Sequence, residues 1–229
     1  MNNPLKKKYC IYCGKNEANE GDHVPPKSFF PKPLPSDLIT VPSCSDCNRE
    51  FGKIDEFIRN VFISLDTTES IPNLDSIREK LHRSMKREKS FKLLVKIYST
   101  IKQVEIIDES GIKLIDKPAF DLDRIEYDKF FERISRALLY VENGVKYFHG
   151  SFKWKKYYKD QDLKSMLSKL NSPEIIEVKN ASGNGMFKYQ GVFWKNKPTS
   201  IWFVNFYDGI EFMIYVSGKD FSLDNSISK

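Results

Sequence analysis

The chain has four cysteines, and they fall into two Cys-x-x-Cys pairs: Cys10-Ile11-Tyr12-Cys13 and Cys44-Ser45-Asp46-Cys47. Thiolates are soft ligands, and two pairs at this local spacing supply the four that a tetrahedral structural zinc takes. Gly14 directly after the first pair suits the tight backbone turn of a zinc knuckle. Between the pairs lies Asp22-His23, and Asn48 follows the last cysteine. Taken singly, Asn48 could be a helix cap and Asp22 a turn residue. Together the three read as a small catalytic hairpin braced by a zinc knot. Redox thiols and an iron–sulfur cluster are the other readings of the cysteines. The matched spacing of the two pairs favours zinc, and the spacings differ from the usual ferredoxin runs.

The elements that must position these residues follow from the pattern around them. Pro25, Pro26, Pro31, Pro33 and Pro35 crowd the segment after His23. Proline removes an amide donor and clashes with the preceding turn, so this segment is a loop. The runs around Gly21–Val24 and Leu38–Val41 can be extended. Ile54, Phe57, Ile58 and Phe62 form one apolar stripe of a helix beginning near Cys47. The first sixty residues therefore read as strand, long loop, strand, helix. In so small a segment a metal can stand in for a core.

Past a polar break at 66–73, Leu74, Ile77, Leu81 and Met85 predict a helix. Phe91 to Ile97 alternates and leans towards strand. Val104–Ile107 and Ile112–Ile115 flank Glu109-Ser110-Gly111 as a hairpin. Leu122 to Tyr140 is the best helix, with Ile125, Phe131, Ile134 and Leu138 on one face and Asn143-Gly144 at its end. A shorter helix is expected around Gln161–Leu170. Beyond Glu174 the chain is β-rich, with strands at Ile175–Val178, Phe187–Phe193, Ile201–Phe206 and Glu211–Val216 and an Asp208-Gly209 hairpin signal. The fold class is α+β, with a module at 1–65 and a separately cored α+β region at 71–229 that ends in an antiparallel sheet.

The sequence of 229 residues is 40% apolar and 14% aromatic, enough to bury a core. No apolar run is long enough to cross a bilayer, and the start of the chain has no signal-peptide pattern, so a cytoplasmic location is expected. There thiols stay reduced, which again favours metal over disulfide. The net charge of +6 is compatible with a polyanionic partner. Phe152 to Tyr158, where Lys153, Lys155 and Lys156 interleave with Trp154, Tyr157 and others, is the best local candidate for a nucleic-acid contact. A strand with a solvated lysine edge explains it equally well. Trp194, Trp202, Phe203, Phe206 and Tyr207 read as half buried on a sheet. His82 and His149 lie in no recognisable site.

Residues 9 to 60 resemble the HNH endonucleases, a branch of the ββα-metal or His-Me finger nucleases. The matching residues are Cys10-x-x-Cys13, Asp22-His23-x-x-Pro26-x-Ser28 and Cys44-x-x-Cys47-Asn48. The helix segment Phe51-Gly52-Lys53-Ile54-Asp55-Glu56-Phe57 resembles that of some zinc-containing members. The resemblance implies that His23 is the general base for water attacking a phosphodiester. It implies that Asp22 and Asn48 hold one Mg²⁺ or Mn²⁺, that the zinc is purely structural, and that cleavage leaves a 5′ phosphate and a 3′ hydroxyl. DNA is the implied substrate, with RNA open. The family's middle asparagine has no counterpart between Asp37 and Ser43; Asp37, Thr40 or a backbone carbonyl could replace it. The rival readings are a non-catalytic zinc module that binds nucleic acid or a protein, and a redox thiol protein.

Overall fold

A computed structural model describes residues 8–65, 74–85, 101–107, 113–120, 124–156, 174–195 and 197–218, with isolated positions between 71 and 111. The sequence readings at Pro72, Tyr157, Tyr158 and the helix around Gln161–Leu170 lie outside the described residues. The architecture is α+β. A two-stranded hairpin pairs β1 (Glu20–His23) with β2 (Thr40–Ser43) and runs into α1 (Ser45–Ile63). Helix α2 (Asp75–Met85) follows, then an antiparallel pair β3 (Ile101–Ile107) and β4 (Lys113–Phe120), then α3 (Arg124–Asn143). The C-terminal strands β5 (Gly150–Lys156), β6 (Ile175–Ser182), β7 (Phe187–Trp194), β8 (Ser200–Phe206) and β9 (Ile210–Gly218) form one antiparallel sheet, in the order β5-β9-β8-β7-β6. Among the described residues no helix is long and apolar enough to cross a membrane.

Local chemistry accounts for the boundaries. Cys44 is extended and precedes the first turn of α1, and its carbonyl accepts from the Asn48 amide at 3.0 Å. Helix α3 ends where Gly144 takes the left-handed conformation (φ +67°). There the Gly144 and Val145 amides donate to the carbonyls of Tyr140 and Leu139, the first of these being the bond of a glycine C-cap of the αL type. The β8–β9 turn spans Phe206–Gly209, with Tyr207 and Asp208 both left-handed at φ +57° and +58°. The Asp-Gly signal thus named the right loop, but the left-handed pair sits one residue earlier. The buried Tyr207 hydroxyl donates to the Phe29 carbonyl at 2.7 Å, so this turn also ties down the proline-rich loop.

Two expectations need correction here. Phe91, Lys92, Val95 and Tyr98 are helical, not strand. Ser99 donates to the Val95 carbonyl at 2.8 Å; alternation over a few residues does not separate strand from helix. Ile125 is 64% exposed, and Tyr127, Phe130, Ala137 and Leu139 join Phe131, Ile134 and Leu138 on the buried side of α3.

The expected separate core beyond residue 71 does not form. One continuous apolar cluster runs from Cys10 to Val216. Phe29, in the loop after His23, lies 6.0 Å from Phe62 of α1, 5.6 Å from Phe130 of α3 and 6.0 Å from Phe206 of β8, centroid to centroid. Phe131 meets Phe212 of β9 at 4.5 Å. Helices α1 and α3 therefore lie against one face of the five-stranded sheet, and the hairpin module is welded to that layer through its loop. Each fully buried phenylalanine contributes about 1.5–3 kcal/mol.

Candidate functional site

The four cysteine sulfurs all lie within 4.8 Å of one another. Tetrahedral Zn–S bonds of about 2.3 Å place sulfurs about 3.8 Å apart, and the Cys13 and Cys44 sulfurs are 3.9 Å apart. The cluster is therefore close enough to hold a metal ion such as zinc. The first pair sits on a tight turn. The Gly14 amide donates to the Cys10 carbonyl at 2.9 Å, and Gly14 has φ +66°. A Cβ on Gly14 would also strike the Tyr147 ring at 2.5 Å. The second pair opens α1. Asn16 bridges them, its side-chain amide donating to the Cys44 sulfur at 3.7 Å and to Asp46 at 3.4 Å. Burial pushes the Cys10 and Cys47 thiols up. Burial also raises Cys13, but backbone N–H groups at Asn16 and Lys15 outweigh it and bring the thiol down to about 7.

The hairpin register sets Asp22 opposite Val41 and His23 opposite Thr40. Alternation along a strand points neighbouring side chains to opposite faces, so Asp22 and His23 part company. Asp22 turns inward and is 2% exposed. His23 is half-buried and, among the described residues, its imidazole has no hydrogen-bond partner. Burial lowers its pKa below the ordinary value, and the Lys27 ammonium lowers it further. Both effects favour the neutral imidazole, the form that can accept a proton. Asn48, on the first turn of α1, donates to Glu20 at 2.6 Å. Glu20 is two residues before Asp22 and on the same face of β1. Asp22, His23 and Asn48 are thus gathered around one strand, but Asp22 is turned into the interior while His23 lies on the opposite face. Asp37 lies away from His23 and accepts from the Asn184 amide. Of the two side chains that could replace the missing asparagine, Thr40 is the one that stands opposite the histidine.

The unexpected residue is Arg133, in the middle of α3. Its Nε donates to Asp22 Oδ2 at 2.7 Å and its Nη2 to Asp22 Oδ1, while Nη1 donates to Asp55 of α1. Nη2 also reaches the His23 carbonyl at 3.4 Å. Tyr12, inside the first Cys-x-x-Cys, donates its hydroxyl to Asp22 Oδ2 at 2.6 Å. The guanidinium carbon lies 4.6 Å from the centre of the Phe51 ring. One buried cation therefore serves two buried carboxylates. Burial pushes Asp55 up to about 6 against the pull of Arg133. Burial would lower the Arg133 pKa, but hydrogen bonding and charge from Asp22 more than reverse it and hold it well above its ordinary value. A sequence signal for Arg133 did exist. It lies among Phe130, Phe131, Ile134 and Ala137 on the apolar side of α3, where an unpaired arginine is almost never buried.

No protein-family model matches this chain, and neither a curated protein nor a solved structure matches it. Cys10, Cys13, Cys44 and Cys47 come together as expected. His82 and His149 stand outside the site, and β5, with exposed Lys153 and Lys155, is an edge strand of the large sheet. Charged edges of this kind keep strands from pairing with other chains.

Proposed function

We propose that the chain is a zinc-braced nuclease that hydrolyses DNA phosphodiester bonds at the β1–β2 hairpin. The observation that carries this reading is His23: a half-buried imidazole on a strand whose neighbour Asp22 is fixed by buried hydrogen bonds, in surroundings that disfavour its charged form. Such a base takes a proton from a water as that water attacks phosphorus. The P–O bond to the 3′ oxygen then breaks, leaving a 5′ phosphate and a 3′ hydroxyl protonated from solvent. Lys27, exposed and close enough to depress the histidine, supplies positive charge for the phosphate. The four thiolates would hold zinc with no open position, so the zinc fixes the start of α1 against the knuckle and leaves the chemistry to side chains.

A second reading is favoured by one specific observation. Both oxygens of Asp22 are engaged inward by Tyr12 and Arg133, as suits a zinc module that binds nucleic acid or a protein without cutting. Incubation of the purified chain with plasmid DNA, with and without Mg²⁺ or Mn²⁺, beside His23→Ala decides between them. The nuclease reading expects nicking or linearisation that His23→Ala loses. No cutting by either protein gives the field to the binding module, and equal cutting by both shows that the activity does not depend on His23.

A further inference from the structure

The Asp22–Asn48 pair that the family resemblance assigns to a divalent ion does not fit one in this fold. Asp22 Oδ2 already accepts from the Tyr12 hydroxyl and from Arg133 Nε, at 2.6 and 2.7 Å. Oδ1 accepts from Arg133 Nη2. The carboxylate is 2% exposed, whereas Mg²⁺ gives up its waters reluctantly and keeps several when bound. An ion bonded to Asp22 would also stand within a few ångströms of the guanidinium, inside a poorly screened interior where like charges repel strongly. The Asn48 side-chain amide is engaged by Glu20, at 2.6 Å.

We propose that Arg133 is the built-in counter-cation of the hairpin: its guanidinium takes the place at Asp22 that a divalent ion would need, and it positions the strand carrying His23 through Asp22 and the His23 carbonyl. Every donor contact supports this. Nε and Nη2 grip β1, and Nη1 grips Asp55 on α1. The His23 carbonyl closes the set at 3.4 Å. A forked guanidinium holds direction as well as charge, which a single ammonium does not. Helix α3, more than a hundred residues along the chain, thereby becomes part of the hairpin's geometry. Arg133 touches no substrate atom; it is a positioning residue. The inference concerns the same hairpin as the nuclease reading, but ion binding is measured without any cleavage, so a chain that cuts nothing still tests it.

The probe is Mn²⁺ added to the full zinc-loaded chain. The readout is paramagnetic broadening of the His23 ring protons, assigned by their loss in His23→Gln. In wild type we expect the His23 signal to keep its linewidth at equimolar Mn²⁺. In Arg133→Gln we expect broadening beyond detection, abolished again in Arg133→Gln with Asp22→Asn. Broadening in wild type that disappears in Asp22→Asn overturns the proposal, as does an Arg133→Gln protein that folds and gains no Mn²⁺ beside His23. If Arg133→Gln does not fold, the wild-type arm decides alone. An unbroadened His23 upholds the proposal, and broadening that Asp22→Asn removes overturns it.

Discussion

Arg133 and Asp22 are 111 residues apart in sequence and bonded through Nε at 2.7 Å and through Nη2, with both side chains buried. The pair joins α3 to the hairpin at the point where His23 leaves it. Removing one partner of a buried pair leaves the other charge without compensation, at a cost of about 3–5 kcal/mol. Arg133→Met is therefore expected to lower the thermal midpoint strongly. Adding Asp22→Asn and Asp55→Asn should recover much of the loss, because no buried charge then lacks a partner. Calorimetry on the single and triple variants checks this, and an unchanged midpoint in Arg133→Met would contradict the buried network.

Metal removal should affect more than the N-terminal module. Cys10, Cys44 and Val24 belong to the same apolar cluster as Trp202 and Ile214, so the knuckle cannot loosen without opening that core. Structural zinc contributes on the order of 10 kcal/mol or more of binding free energy that is also folding free energy. Elemental analysis is expected to give one zinc per chain. Cys44→Ser, or excess chelator, should abolish it and merge unfolding of the hairpin and of the sheet into one transition at lower temperature. Two separate transitions, with the sheet unmoved, would show that the core divides after all.

The difference between what the sequence revealed and what it hid has a physical cause. Cys-x-x-Cys pairs, the proline loop, the α1 stripe and the C-terminal hairpins are signals within a few residues, and each became the expected element. Asn143-Gly144 marked the end of α3 because the left-handed cap is a local requirement at Gly144. The apolar residues around Arg133 mark it as a buried cation, but its partners Asp22 and Asp55 depend on how α3 packs across α1 and β1, which no local pattern encodes. The division into two cores failed for the same reason. Phe29 looks like a loop residue, and only the packed chain shows it against Phe62, Phe130 and Phe206.

Asp55 gives the fold a pH dependence whose sign can be worked out. Its folded pKa is raised to about 6 by burial, which outweighs the pull of Arg133, and the negative charge of Asp22 adds to the rise. The folded protein therefore holds this proton more tightly than the unfolded chain, whose aspartate titrates near 3.9. Stability from this group is fully present below about pH 4 and is lost as pH rises through 6, with a slope of up to about 1.4 kcal/mol per pH unit. Asp55→Asn keeps an acceptor for Arg133 and removes the titration. Its stability relative to wild type, measured by urea unfolding, should rise between pH 4 and 6 and level off above; a difference flat across that range would reject the assignment.

The last expectation concerns His23 as a base. Burial and the Lys27 ammonium both disfavour its protonated form, so its pKa lies below the ordinary value. If His23 accepts the proton of the attacking water, the rate should climb with pH through that lowered pKa and be flat at neutrality. Lys27→Gln removes a positive neighbour, so the rising limb should move to higher pH, towards 6.5. Two effects should appear together in that variant: a shifted limb and a weaker grip on the phosphate, seen as a higher KM. His23→Ala should lower kcat by about 10²–10⁴ while zinc content and thermal midpoint stay near wild type, because the imidazole makes no hydrogen bond among the described residues. A pH profile of kcat/KM for the three proteins separates these outcomes. A limb that stays in place when Lys27 is changed, and survives the loss of His23, belongs to some other group.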